Sequence, residues 1–233
     1  MEPLRVLWER AVRPAGAFRQ RALEAPGLWD SLGQMLLLRG PIAFLGSIFA
    51  YVSFAGFYAR LASPDSEVWR FILAQAPESL DPADLNAALA RLPELPTLHQ
   101  MLPWLAMLAP LAVLSLWLHD ATFDHMGLWL LRGLKERKGF RASLVADAEA
   151  LKVGALGAAV GLLADLPGTG LALGLLLAPV AIYFWILRGY ALAAWHGCPP
   201  WKGVVATLLN IVLAGAMVGA MLLACLVMVM LVI

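Results

Sequence analysis

Five ionisable side chains, Asp124, His125, Asp147, Glu149 and Lys152, stand in stretches otherwise apolar enough to sit in a bilayer. Carboxylates and an imidazole at such depth are costly, and where they occur they hold a cation, pass a proton or pair with one another. Helical spacing restricts which of them can meet. Asp120 and Asp124 share a face, as do Glu149 and Lys152, whereas His125 stands one residue and about 100° from Asp124. Two readings stay open. In one, Asp124, His125, Asp147 and Glu149 build a polar site that binds a cation or relays a proton, and Lys152 offsets the excess charge. In the other, Glu149 and Lys152 are an internal ion pair, the carboxylates cap or bridge helices, and the Lys152 ammonium snorkels to the interface. The spacing of His119 and His125 suits a shared metal ion poorly on one helix, so neither metal nor cofactor is expected. No GxSxG, P-loop or HExxH pattern occurs, and Ser115 and Ser143 have no base nearby in sequence, so an enzyme is not expected either.

The elements that must position these residues are membrane helices. The chain of 233 residues is 61% hydrophobic, has a mean hydropathy of +0.77 and is only 14% charged, which is ordinary for a polytopic membrane protein and abnormal for a soluble domain. A net charge of +1 lacks the basic excess that nucleic acid requires. The clearest unit is a hairpin: an apolar run from Val153 to Ala164, a turn at Asp165-Leu166-Pro167-Gly168-Thr169-Gly170, and a second run from Leu171 to Leu187. The first arm is too short alone, so its span takes in residues from Ala142 onward, with Asp147, Glu149 and Lys152. A first span runs from Pro41 to Ala59, and a last lies within Val204 to Ile233. Met101 to Gly133, read as one helix, is about 50 Å long and must tilt or project beyond a hydrocarbon core of about 30 Å. The prediction is an all-α membrane protein, a bundle of five transmembrane helices.

Basic residues set its orientation. Arg5, Arg10, Arg13, Arg19, Arg21 and Arg39 lie before the first span, and Arg132, Lys135, Arg137, Lys138 and Arg141 in one connection. The segment 60–100 is acidic, with Asp65, Glu67, Glu78, Asp81, Asp84 and Glu94 against Arg60, Arg70 and Arg91; within it, Asp81-Pro82 to Leu92 reads as a short N-capped helix. The positive-inside rule then puts the N-terminus in the cytoplasm and the C-terminus outside. Residues 1–39 become a cytoplasmic amphipathic segment at the membrane surface, and 40–233 the transmembrane domain, with 60–100 an extracytoplasmic loop. Counted at 1.5 Å per residue from the cytoplasmic ends, Asp124 and His125 fall about 12–14 Å deep, Asp147 about 9 Å, Glu149 about 12 Å and Lys152 about 16 Å, with Asn210 and Tyr183 comparable.

Gly157 and Gly161, Gly170 and Gly174, and Gly215 and Gly219 each make a GxxxG, which lets helix backbones approach closely where lipid gives no hydrophobic drive for association. They predict a tight bundle with room for a homo-oligomer or another membrane protein as partner, besides the lipid bilayer.

The order of motifs carries a family resemblance. A basic loop ends in Gly139-Phe140-Arg141, an Ala-rich span and the LPGTG turn follow, then a span ending near Arg188, His196-Gly197 and a long last span, with His125 ahead of the loop. Over about Phe123 to Leu213 this resembles the Yip domain. The resemblance implies five transmembrane helices with a cytoplasmic N-terminus; eukaryotic relatives associate with Rab-type GTPases, vesicle trafficking and membrane shaping. The expectation is a non-enzymatic protein of a bacterial inner membrane that organises partners or bilayer shape by lateral helix association. The alternative is a small ion- or proton-coupled transporter or channel module using the polar layer.

Overall fold

The computed structural model describes residues 4–63, 66–67, 69–70, 87, 89, 91–134, 139–163, 166 and 170–232, with the side chains of 170–172 and 224–232 set aside. Of the helix expected from Asp81 to Leu92, Ala87 and Leu89 are helical, Arg91 lies in a turn and Leu92 in a bend; its start at Asp81-Pro82, Asp165 of the hairpin turn, and Lys135, Arg137 and Lys138 of the basic loop lie outside the described residues. Seven helices are described: α1 (Leu4–Val12), α2 (Pro14–Leu23), α3 (Leu28–Ala62), α4 (Leu98–Leu130), α5 (Phe140–Gly161), α6 (Gly170–His196) and α7 (Pro200–Val232).

Local chemistry sets their ends. Pro14 opens α2, and Pro200 opens α7, where its missing N–H costs nothing. Thr97 caps α4 in a reciprocal box: its backbone N–H donates to Gln100 Oε1 at 2.7 Å and its hydroxyl accepts from the Gln100 N–H. Gly197 ends α6 at φ 64°, and the Cys198 N–H reaches back to the Ala193 carbonyl at 3.1 Å. The step before α4 is tied to α3 by two tyrosines, Tyr51 donating to the Pro96 carbonyl and Tyr58 to the Pro93 carbonyl.

Among the described residues, four helices are long and apolar enough to cross a membrane: Leu28–Ala62, Leu98–Leu130, and within α6 and α7 the stretches Leu173–His196 and Pro200–Leu223. The α4 stretch is one unbroken helix of 33 residues, as its sequence implied. In order around the bundle, α3 packs on α4, α4 on α7, α7 on α6, α6 on α5 and α5 back on α3, while α5 also touches α4. That makes α5 the central helix. Every residue from Val145 to Val153 is buried, polar or not.

The bundle has two zones. Towards one end the helices pack into a dense base, whose core holds Leu7 and Phe18 from α1 and α2 together with Leu128, Val153, Leu192 and Trp195. The segment 1–39 is therefore part of the packed core and not only a surface element. Its last third is continuous with the first long helix. Towards the other end the large apolar side chains face outward: Leu45 and Phe57 on α3, Trp104 and Leu111 on α4, Leu175 and Leu176 on α6, Val212 and Met221 on α7.

The closest backbone crossing is between α6 and α7. A Cβ on Gly203 would fall on the Gly189 carbonyl oxygen, and one on Gly189 would lie 2.5 Å from Val204 Cα. Gly127 of α4 meets Ala206 in the same way, 2.8 Å from its carbonyl oxygen. Of the glycines singled out by pattern, Gly157 lies against the Phe184 ring, whereas Gly161, Gly174, Gly215 and Gly219 have nothing within 4 Å.

Candidate functional site

The five candidate residues all lie in or beside the base, and they separate into three clusters. Asp124 and Asp147 meet around Arg188. Its guanidinium approaches Asp120 Oδ2 at 2.5 Å through Nη1 and Asp124 Oδ2 at 2.8 Å through Nε, and Nη2 donates to Asp124 Oδ1 at 3.0 Å. Asn210 adds a second donor to Asp124 Oδ1 at 2.7 Å. Asp147 is the exception: wholly buried, it has no hydrogen-bond partner on either oxygen among the described residues, and Arg188 Nε lies 3.9 Å from its Oδ1. Three carboxyl groups thus share one guanidinium, brought together by α4, α5, α6 and α7.

Glu149 and Lys152 form the second cluster with the N-terminal helices. Glu149 accepts from Lys152 Nζ at 2.7 Å, Ser31 Oγ at 2.6 Å, Arg10 Nη1 at 2.9 Å and Arg21 at 3.4 Å. Lys152 also donates to Gln34 Oε1 at 2.9 Å. The expected internal ion pair is present. The snorkelling expected of Lys152 is not, because the side chain is 0% exposed and its ammonium finds its partners inside the base. A buried ion pair that is also hydrogen-bonded on all sides holds geometry more than it adds net stability.

His125 joins neither cluster, in keeping with its angle from Asp124. Its Nδ1 lies 2.9 Å from Ser143 Oγ, which lies 2.9 Å from His196 Nε2. A hydroxyl so placed donates to one ring and accepts from the other, so the two imidazoles hold opposite roles at the nitrogens they present. Ser143 thus has two histidines beside it in space where the sequence offers no base nearby, and the serine and His196 are both fully buried. Ser143→Ala is expected to cost about 1–3 kcal/mol by removing the hydrogen bonds that both rings make, read as a lower midpoint of thermal unfolding in detergent.

Several partners escaped the sequence reading. Arg10, Arg21, Ser31 and Gln34 come from helices expected to lie on or before the membrane surface. One signal was available for Arg10, which shares a face with the apolar Leu7 and Ala11 of α1. Tyr183, placed with the polar layer by depth, donates instead to the Ala11 carbonyl. Among the described residues no group of three His, Cys, Asp or Glu is arranged to hold a metal ion.

Beside the Arg188 cluster, towards the open zone, lies a cavity of about 610 Å³ between α3, α4, α5, α6 and α7. Its floor is polar, made by Arg39, His119, Asp120, Arg188 and Asn210, and its walls are apolar. Compared with known protein families, curated proteins and solved structures, the chain finds no match.

Proposed function

We propose that this is a polytopic integral membrane protein of Yip type, non-enzymatic, which organises membrane partners or bilayer shape through lateral helix association. One observation carries the reading: Asp147 apart, the ionisable side chains of the base are engaged with one another, whereas the outer surface of the upper zone is apolar and holds open glycines at Gly215 and Gly219. In this reading the bilayer begins at the level of Arg39, Asp120, Lys152 and Arg188, and the described part of α5 beyond Lys152, Val153–Gly161, is about 13 Å long and enters the hydrocarbon core of about 30 Å without crossing it by itself. The ionisable residues then belong to a cytoplasmic base and are not stranded in the inner leaflet, which removes the cost of charge in hydrocarbon. The basic residues of the N-terminal helices support this orientation by the positive-inside rule, under which the segment 60–100 is proposed to lie outside. The membrane of a bacterial cell is the proposed location, and a second copy or another membrane protein the proposed partner.

Two measurements test it. With Cys198 and Cys225 replaced by serine, Ser66→Cys is expected to react with a membrane-impermeant maleimide in intact cells and Arg19→Cys only after lysis; the reverse pattern sinks the orientation. A photocrosslinker at Val218 is expected to trap a protein of defined mass in native membranes, with the yield lost on Gly219→Leu. Crosslinks to lipid alone would sink lateral association.

Asp147 favours a second reading, a proton-coupled module, because a buried carboxyl without hydrogen bonds beside Asp124 and Arg188 is where a proton or monovalent cation would rest. Proton flux into proteoliposomes, abolished by Asp147→Asn, is the result that would replace the first reading with this one.

A further inference from the structure

We propose that the cavity is a lipid site: it takes an anionic phospholipid of the cytoplasmic leaflet, its head phosphate on Arg39 and one acyl chain between the apolar walls. The inference goes beyond lateral association and rests on the membrane level given above.

The hydrogen-bonding capacity of the floor points to the head group. Asp120 is occupied on both oxygens, Oδ2 by Arg188 at 2.5 Å and Oδ1 by His119 Nδ1 at 3.4 Å. The Asn210 NH2 group donates to Asp124 Oδ1 and to the Asp120 carbonyl. Arg188 is shared among three carboxyl groups. Arg39 differs, because among the described residues its guanidinium makes one hydrogen bond, from Nη1 to the Gly154 carbonyl at 3.0 Å. A guanidinium has five N–H donors in a planar fork that fits phosphate oxygens. What Arg39 has left to offer the cavity is therefore N–H donors and a positive charge, and the matching head is an anion rich in acceptors.

The walls point to the tail. Gly161, Ala158, Leu177 and Ala181 line the cavity with small or aliphatic groups. Its volume of about 610 Å³ falls in the range of roughly 300–1,000 Å³ that encloses a drug-sized ligand, enough for one chain with the second left in the bilayer. Val160, Trp185 and Ile211, 39%, 44% and 44% exposed, stand both on the wall and on the outer surface, so the cavity opens sideways towards lipid. The polar floor then lies at head-group level and the walls run along the acyl chains. An anionic leaflet supplies the ligand at high local concentration.

The test uses the full chain, delipidated in detergent and titrated with phosphatidylglycerol, phosphatidylcholine or palmitate, with bound lipid counted by native mass spectrometry. Phosphatidylglycerol is expected to bind at one per chain and about tenfold more tightly than phosphatidylcholine, a preference worth about 1.4 kcal/mol. Arg39→Gln removes the preference, and Arg39→Lys keeps most of it. Gly161→Phe fills the cavity without meeting any atom within 4 Å of its Cβ, so it blocks binding while leaving the unfolding midpoint unchanged. Equal binding of the two phospholipids, a preference that survives Arg39→Gln, or saturation by palmitate but not by phosphatidylglycerol would each overturn the proposal. Maleimide labelling at Ser66 and Arg19 reads the orientation separately, so failure of the lipid site leaves that reading distinguishable.

Discussion

Glutamine in place of Glu149 is expected to destabilise the base by about 3–5 kcal/mol, the cost of leaving buried charge without its counter-charge. The carboxylate is the common acceptor for Lys152, Arg10, Arg21 and Ser31. Lys152 lies within the base with its side chain 0% exposed and cannot turn to water. The amide keeps the volume and one acceptor oxygen but removes the charge that three cations face. For a domain of about this size each kcal/mol moves the unfolding midpoint by about 2–4 °C, so the shift is easily measured by tryptophan fluorescence in detergent. The double variant Glu149→Gln with Lys152→Met is expected to recover part of the loss, since contacting residues are non-additive. A single variant as stable as the parent would show that Glu149 is not the organising acceptor of the base.

Gly203→Ala is expected to separate α6 from α7 at a cost of about 3 kcal/mol, the upper end of what overpacking takes. The added methyl has nowhere to go: it falls on the Gly189 carbonyl oxygen and 2.9 Å from Ala193 Cβ. Backbone cannot turn aside as a side chain can. The gain of about 1 kcal/mol in helix propensity from replacing Gly by Ala acts in the opposite direction and does not offset the clash. Gly215→Ala is the matched control, because nothing lies within 4 Å of its Cβ; it is expected to be neutral or slightly stabilising. The pair separates a packing effect from a propensity effect in one melting experiment, and equal midpoints would overturn the assignment of the crossing.

Apolar runs made the long helices legible, because length and hydropathy are local properties. The 33-residue α4 and the pairing of Glu149 with Lys152 were both readable from spacing. Which glycines touch was not. Of the six glycines in the GxxxG pattern, Gly157 meets the Phe184 ring and Gly161, Gly174, Gly215 and Gly219 face open space, and the surroundings of Gly170 lie outside the described residues; the pattern passed over Gly189 and Gly203, which set the α6–α7 crossing. Gly189 does open a small-xxx-small step with Ala193, a weaker form of the same signal. The division of the polar layer into three clusters was hidden for another reason. It depends on which helices are neighbours, and Ser143 meets His196 only because α5 lies against α6. The arginines of α1 and α2 read as membrane-surface residues because an isolated amphipathic helix looks the same whether its apolar face meets lipid or protein.

The bond from Arg10 to Glu149 joins positions 139 residues apart. Chains grow at about 5–20 residues per second, so on the order of ten seconds separate the birth of the two partners. Throughout that wait Leu7 and Phe18, destined for the interior, lack the cover that Ala150, Val153, Leu187, Leu192 and Trp195 will give their core. Biogenesis of the molecule is thus a closure from its newest part onto its oldest, and a chain stalled before the fifth helix begins would carry its first two helices as an unfastened latch.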